Sequence, residues 1–235
     1  MLSIFMRLIL VLLLFLSISI GVFSQIDPVA NFNRRLFENW KGEYLRIGPF
    51  KVKGSPYLLG TSFPGSIAYK EGNKWSDTKI LYDIYNQKAG VEINNLMVEG
   101  EGTVESFSLL FPENLGGQQL IFKNSANYGK PEMNCFFNVL EEGDKVSFLK
   151  LYKTKLARDP VNSMDGNAKV FEQFFEYYVY IKNIRALNKV KLGKKDILKA
   201  VTDQQFIKNY MATKQVDLSQ ESDIIDLYRS YNKTL

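Results

Sequence analysis

The sequence predicts an α+β, β-dominated fold. The expected body is an antiparallel β-meander of about eight to ten strands, built as a curved sheet, a sandwich or a partial barrel. An N-terminal helix and a small C-terminal helical tail flank it. Three observations lead there. Apolar residues recur with a period of two from about Glu43 to Leu192, and turn residues interrupt them often. The spacing becomes helical on either side of that stretch. The chain has 235 residues, 46% hydrophobic and 23% charged, which is the composition of a globular protein able to bury a core.

Met1 to Ser24 follows the logic of an export signal. Arg7 supplies a positive start, an apolar run follows from Leu8, and Val22-Phe23-Ser24 offers a cleavage site that leaves Gln25 first. The run from Leu8 to Phe23 falls short of the roughly 20 residues of a membrane-spanning helix. The alternative is an uncleaved anchor from Ile4 to Phe23. No cysteine follows the run, so a lipoprotein signal is not expected. The expected location is the periplasm or cell envelope, with a mature chain that does not span the membrane.

Residues 25–192 read as a β-rich domain that starts with a helix over 27–41. Asp27 is its N-cap and Pro28 its first residue, Val29, Phe32, Leu36, Phe37 and Trp40 form its apolar stripe, and Gly42 ends it. Strands are expected around Ile67–Tyr69, Ile80–Ile84, Val91–Ile93, Phe107–Phe111, Leu120–Phe122, Met133–Val139, Val146–Tyr152 and Phe175–Ile181. Lys150 breaks the apolar alternation of its strand. Turns are expected at Glu71-Gly72-Asn73, Asn86–Gly90, Gly100–Gly102, Gly116-Gly117, Asn127–Pro131, Gly143-Asp144 and Asp165–Asn167. Pro56 suits an edge or a first strand position, and Pro64-Gly65 a turn into a strand from Ser66. Several strands carry bulk on both faces, so one face should be covered by helices or by a second layer. Residues 193–235 return to helical spacing, with Asp203 and Ser219 as expected caps and the weakest joint near Gly193.

Lys53-Gly54-Ser55-Pro56-Tyr57-Leu58, Phe63-Pro64-Gly65 and Leu81-Tyr82-Asp83-Ile84-Tyr85-Asn86 resemble a family of uncharacterised secreted proteins of Gram-negative, Bacteroidetes-type bacteria. The resemblance resumes at Tyr177-Tyr178-Val179-Tyr180-Ile181 and at Lys194-Lys195-Asp196-Ile197-Leu198, and runs through the final helix to Tyr231-Asn232. It implies export and brings no activity, catalytic residue or ligand.

Composition removes much of the catalytic vocabulary. The chain has no histidine and one cysteine. A Ser-His-Asp triad, a Cys-His pair, a histidine metal site and an internal disulfide are therefore excluded within it. Cys135 reads as a buried, inert thiol. A net charge of +5 is too mild for a nucleic-acid footprint.

The remaining candidates are weak. Glu99, Glu101 and Glu105 form a carboxylate cluster of the kind glycoside hydrolysis uses, but the glycines between them mark a solvated turn. Ser147 and Lys150 match a Ser-x-x-Lys pattern, yet in a strand residues three apart face opposite ways. Asp159, Asn162, Asp165 and Asn167 offer oxygens without calcium-loop spacing. Lys182, Arg185, Lys189, Lys191, Lys194, Lys195 and Lys199 form the densest basic stretch, read as a solvated hairpin leading into a helix. Tyr69, Tyr82, Tyr85, Tyr178 and Tyr180 are the aromatics a ligand would meet on the curved sheet.

The first expectation is therefore an exported, non-catalytic interaction or structural protein of the envelope, acting on an unknown protein or envelope partner. No cofactor, metal or nucleic acid is expected. The alternative is a small-molecule or lipid-binding module, and a carboxylate-based hydrolase is a distant third.

Overall fold

The computed structural model describes residues 45–47, 50–94, 96–100, 102–160 and 166–234. The expected export signal (1–24) and the helix at 27–41 lie outside them. The strands are β1 (Leu45–Ile47), β2 (Phe50–Lys53), β3 (Phe63–Tyr69), β4 (Lys74–Asp83), β5 (Lys88–Ile93) and β6 (Leu96–Val98). They continue with β7 (Val104–Leu110), β8 (Gln119–Asn124), β9 (Phe136–Glu142), β10 (Val146–Arg158), β11 (Ala168–Ile181) and β12 (Ala186–Val190). The helices are α1 (Lys194–Lys199), α2 (Gln204–Thr213) and α3 (Glu221–Asn232).

One sheet holds all twelve described strands, eleven of them in the order β1-β2-β11-β10-β9-β8-β7-β3-β4-β5-β6 with β12 off this path against β11, and it does not close. The count exceeds the expected eight to ten because β1, β2, β6 and β12 are short and carry too few residues to show a period. The meander is also not wholly antiparallel. β2 pairs with the start of β11 in parallel, Lys51 opposite Ala168 and Lys53 opposite Val170, while β12 pairs with the other end of the same long strand. A 14-residue strand is long enough to give its two halves different neighbours on one side.

Two local expectations are corrected. Pro64-Gly65 is not a turn, because both residues lie inside β3. A Cβ at Gly65 would sit 1.8 Å from the Ser108 carbonyl oxygen, so glycine here serves the close approach of β7, next to a register shift against β4 on the other side. Met133–Val139 is not one strand either. Pro131–Met133 form a 3₁₀ turn, Asn134 takes φ +43°, and β9 starts only at Phe136.

The sheet bends sharply. The rings of Tyr82 and Phe136 lie 6.1 Å apart, and the Tyr82 hydroxyl donates to the Phe136 carbonyl at 3.3 Å. Yet β3, β7 and β8 separate β4 from β9 in the sheet order. At about 4.8 Å per strand a flat sheet would hold these residues nearly 20 Å apart. Curling gives the sheet a concave face, where Phe107 stacks on Phe122 at 4.6 Å and Tyr82 meets both edge-on. Ile67, Ile80, Leu109 and Phe122 in this cluster are fully buried.

A glutamine holds the curl. Gln87, at φ +56° in the β4–β5 turn, donates from Nε2 to the carbonyls of Ile84 and Tyr152, each at 2.9 Å. Its Oε1 accepts from the Tyr82 hydroxyl at 2.7 Å and from the Phe136 N–H at 3.5 Å. One amide thus ties the β4–β5 hairpin to β9 and β10. Nearby, Ile84 N–H donates to the Pro56 carbonyl at 2.9 Å, and Tyr57 bridges Asp83.

The helices cover the rest of the concave face. Val146, Phe148, Val179 and Ile181 from β10 and β11 share a cluster with Ile197, Ile207, Ile224, Leu227 and Tyr228. Asp203 caps α2 as expected, accepting from the Phe206 N–H at 2.9 Å. Ser219 does not cap α3: Gln220 holds that position, and the Ser219 hydroxyl donates to Asp217. The convex face carries its own smaller cluster of Tyr128, Cys135, Phe137, Leu149, Leu151 and Tyr178. Among the described residues no helix is long and apolar enough to cross a membrane.

Replacing Gln87 by alanine leaves the Tyr152 carbonyl without this donor and the Tyr82 hydroxyl with one long acceptor. Chemical denaturation should show a loss of about 2–4 kcal/mol, against less than about 0.5 kcal/mol for the exposed Lys155→Ala.

Candidate functional site

The five tyrosines expected to face a ligand do not share a wall. Tyr69 and Tyr82 are buried in the concave aromatic cluster. Tyr85 is 46% exposed and meets only the Phe171 ring among the described aromatics. Tyr178 and Tyr180 belong to the convex face, where Tyr178 donates to Glu176 at 2.9 Å.

Between the two concave clusters lies a polar layer. Lys150 is directly opposite Asn138 on β9 and Tyr177 on β11. Its ammonium sits 2.8 Å from the Glu221 carboxylate at the start of α3, over the rings of Phe175, Tyr152 and Tyr177 at 4.4 to 5.5 Å. Glu221 also accepts from the Tyr177 hydroxyl at 2.7 Å. Burial first, then that carboxylate, push the Tyr177 phenol up. This explains the lysine that interrupts the alternation of β10: it is the partner that seats α3. Burial pushes the Tyr152 phenol up, and the Lys150 charge and the adjacent Asn138 amide offset part of that. The Asn138 amide nitrogen itself is buried without a hydrogen-bond partner at normal geometry.

A hollow of about 290 Å³ lies on the convex face. Its walls come from four strands and one turn. Glu105 and Ser106 stand on β7, Lys123 on β8, Glu142 on β9, and Tyr180 at the end of β11 with Lys182 just beyond it. Asn127 and Tyr128 come from the 3₁₀ turn Ser125–Tyr128. The Asn124 side chain starts that turn by accepting from the Ala126 N–H at 2.9 Å, and Gly129 ends it at φ +70°. Lys123 and Glu142 are ion-paired at 2.5 Å, each about one-third exposed. The Tyr180 ring packs edge-on against Tyr128, with centroids 5.4 Å apart.

Two buried hydroxyls lie behind this hollow rather than in its surface. Tyr128 is 2% exposed and Ser147 fully buried, and the hydroxyl oxygens of both are buried without a partner. The cross-strand neighbours of Ser147 are Glu142 and Tyr180, both wall residues. Burial, then the Glu142 carboxylate, push the Tyr128 phenol up. Neither hydroxyl oxygen is exposed to the hollow, so each is a buried polar group that costs the fold about 1–3 kcal/mol rather than a contact offered to a ligand.

Two other hollows lie elsewhere on the surface. One is an apolar groove of about 500 Å³ formed by Phe63, Pro64, Leu110, Phe111, Pro112 and Leu115. The second, near Val190 and Lys199, is about 300 Å³.

The remaining sequence candidates fall apart in space. Glu99 pairs with Lys88 at 3.0 Å on the surface, Glu105 reaches the convex hollow, and Glu101 lies outside the described residues. Ser147 and Lys150 point to opposite faces, as their spacing implies. Asp159 is buried and its N–H donates to the Ala168 carbonyl, the Asn167 carbonyl accepts from Lys51, and Asn162 and Asp165 lie outside the described residues. Within the basic stretch Lys189 pairs with Glu176 and Lys199 with Asp196, and Lys182 lines the hollow. Cys135 is buried, and burial pushes its thiol up to about 11. The residues missed by sequence reasoning are Lys123, Asn127, Tyr128 and Glu142, whose proximity depends on strand order alone.

Comparison with family models, with curated proteins and with solved structures finds no match to this chain.

Two outcomes follow. A double-mutant cycle with Lys150→Met and Glu221→Gln should give a coupling of about 1–2 kcal/mol in denaturation. With its pKa raised to about 11, the Cys135 thiol is only about one thousandth ionised at pH 8. Alkylation there should run about a hundredfold slower than in the urea-unfolded chain, and the protection should fade as pH rises towards 11.

Proposed function

We propose that this protein is an exported, non-catalytic binding component of the periplasm or cell envelope, holding a small ligand in the convex hollow. The export signal and the resemblance to secreted proteins support the location. The observation that carries the binding reading is the preformed convex hollow itself, where the Lys123–Glu142 ion pair and the half-buried Tyr180 ring line one space of about 290 Å³. A lipid in the concave face is less well supported, because Tyr82, Phe107, Phe122 and Phe136 already fill that face against one another.

Native mass spectrometry of the protein purified from its own cell envelope tests this. The expected mass starts at Gln25 and carries a discrete addition that the Lys123→Ala/Tyr180→Ala variant lacks. A bare chain, or an addition indifferent to that variant, contradicts the reading. Turnover of any substrate, abolished by a single side-chain change, also contradicts it.

A further inference from the structure

One stretch of the sheet has a neighbour on one side only. β11 pairs with β10 along its length, from Val146 opposite Ile181 to Arg158 opposite Lys169. On its other side β2 pairs as far as Val170 and β12 only from Tyr177, so residues 171–176 have no strand alongside. We propose that this gap takes an extended, acidic segment of a partner protein, which adds a short strand between β2 and β12. The site is separate from the convex hollow and does not depend on it.

The backbone alternation shows which groups are open. In a strand the N–H and C=O of one residue point to the same side, and those of the next residue point to the other. The Ala168 and Glu172 carbonyls face β10, where they accept from the Asp159 N–H at 3.1 Å and the Thr154 hydroxyl at 2.9 Å. The Asn167 carbonyl faces the other way and accepts from the Lys51 N–H at 2.8 Å. By the same alternation Gln173 and Phe175 turn their N–H and C=O groups to the gap, where no described main-chain group meets them. Residues 172–175 are exposed, so the gap opens to solvent. β2 turns away from it at Gly54, φ +87°, and the Gln173 side chain holds the departing chain at the Tyr57 carbonyl and the Leu59 N–H. An unpaired edge of this kind is what strand addition uses, and its length of about 20 Å suits a segment of about five residues.

Side chains and charge set the partner. Phe174 and Phe175 point to opposite faces and are 37% and 52% exposed, so the middle of the added strand gains from an apolar residue on each face. The carboxylates of β11 beside the gap are already neutralised, Glu172 by Lys155 and Glu176 by Lys189 and Lys153. The ammonium groups at its two ends are not. Lys53 lies opposite Val170, and Lys191 follows the Val190–Tyr177 pair. Among the described residues neither has an ion-pair partner, nor have Lys194 and Lys195 at the start of α1. Lysines at both ends favour a segment with Asp or Glu towards both ends and repel a basic one.

The test uses the full mature chain, amide hydrogen exchange by NMR, and random heptapeptides displayed on phage as the probe. In the free chain the Gln173 and Phe175 amides should exchange about a hundredfold faster than those of Glu172 and Phe174, which face β10. The recovered peptides should carry Asp or Glu towards both ends around apolar residues. Once synthesised and bound, they should slow exchange at Gln173 and Phe175. Lys53→Glu/Lys191→Glu should weaken binding about tenfold. Phe175→Pro, which removes an outward N–H at an edge, should abolish it. The charge reversal keeps the test decisive if the proline variant unfolds. Slow exchange at Gln173 and Phe175 in the free chain overturns the premise that the edge is open. Failure to recover any peptide overturns the proposal, and so does recovery of basic peptides or of peptides that leave these two amides unprotected.

Discussion

The reach of Tyr82 from β4 to β9 is the constraint on which the rest of the structure depends. It requires the sheet to bend until strands four places apart touch, and the Gln87 amide holds them there. Once bent, the concave face between β3 and β9 packs against itself, with Phe107, Phe122 and Phe136 meeting the Tyr82 ring. Aromatic residues suit this, since each fills a wide gap with little loss of conformational freedom. The consequence is that a curved sheet rich in tyrosine and phenylalanine gives much of its inside to packing, and the proposed binding reading therefore turns to the outside.

The same bend leaves the outer strands β9 to β12 uncovered on the concave side, and the C-terminal helices fill that place. Their seating combines an apolar cluster with two ion pairs to the sheet, the more exposed Arg229 to Glu141 and Lys150 to Glu221, the latter shielded by Tyr177 and Phe175. On the convex side the Ser125–Asn134 segment covers Phe137 and Leu149 and, at its edge, leaves the hollow open. Asn232 adds a further tie from the last helix, accepting from the N–H groups of Lys145 and Val146 at 3.1 and 3.0 Å.

Much of the fold is legible in the chain. The alternation at Phe107–Leu109–Phe111 and at Tyr177–Val179–Ile181 marks strands and their buried faces, and Asp203 marks a helix start. Cys135, Phe137 and Val139 share a face as their spacing implies, although β9 begins only at Phe136. Strand neighbours are not legible, because a period of two says nothing about which strand lies alongside. That is why the parallel pairing of β2, the bulge at Gly65 and the meeting of Lys123 with Glu142 escape a reading of the sequence. The hollow is half legible. Tyr180 and Glu105 stand out as an aromatic and a carboxylate, whereas Tyr128 looks like one residue of an ordinary turn and Lys123 and Glu142 like solvated strand charges.

The central claim is that the convex hollow lined by Lys123, Glu142 and Tyr180 holds a ligand. The most direct measurement is a crystal structure, at a resolution that separates water from larger groups, of the protein taken from its own cell envelope. Continuous density larger than water, in contact with the Lys123–Glu142 pair and against the Tyr180 ring, is the predicted result. Ordered waters alone along that pair, with the Tyr180 ring facing bulk solvent, would contradict it.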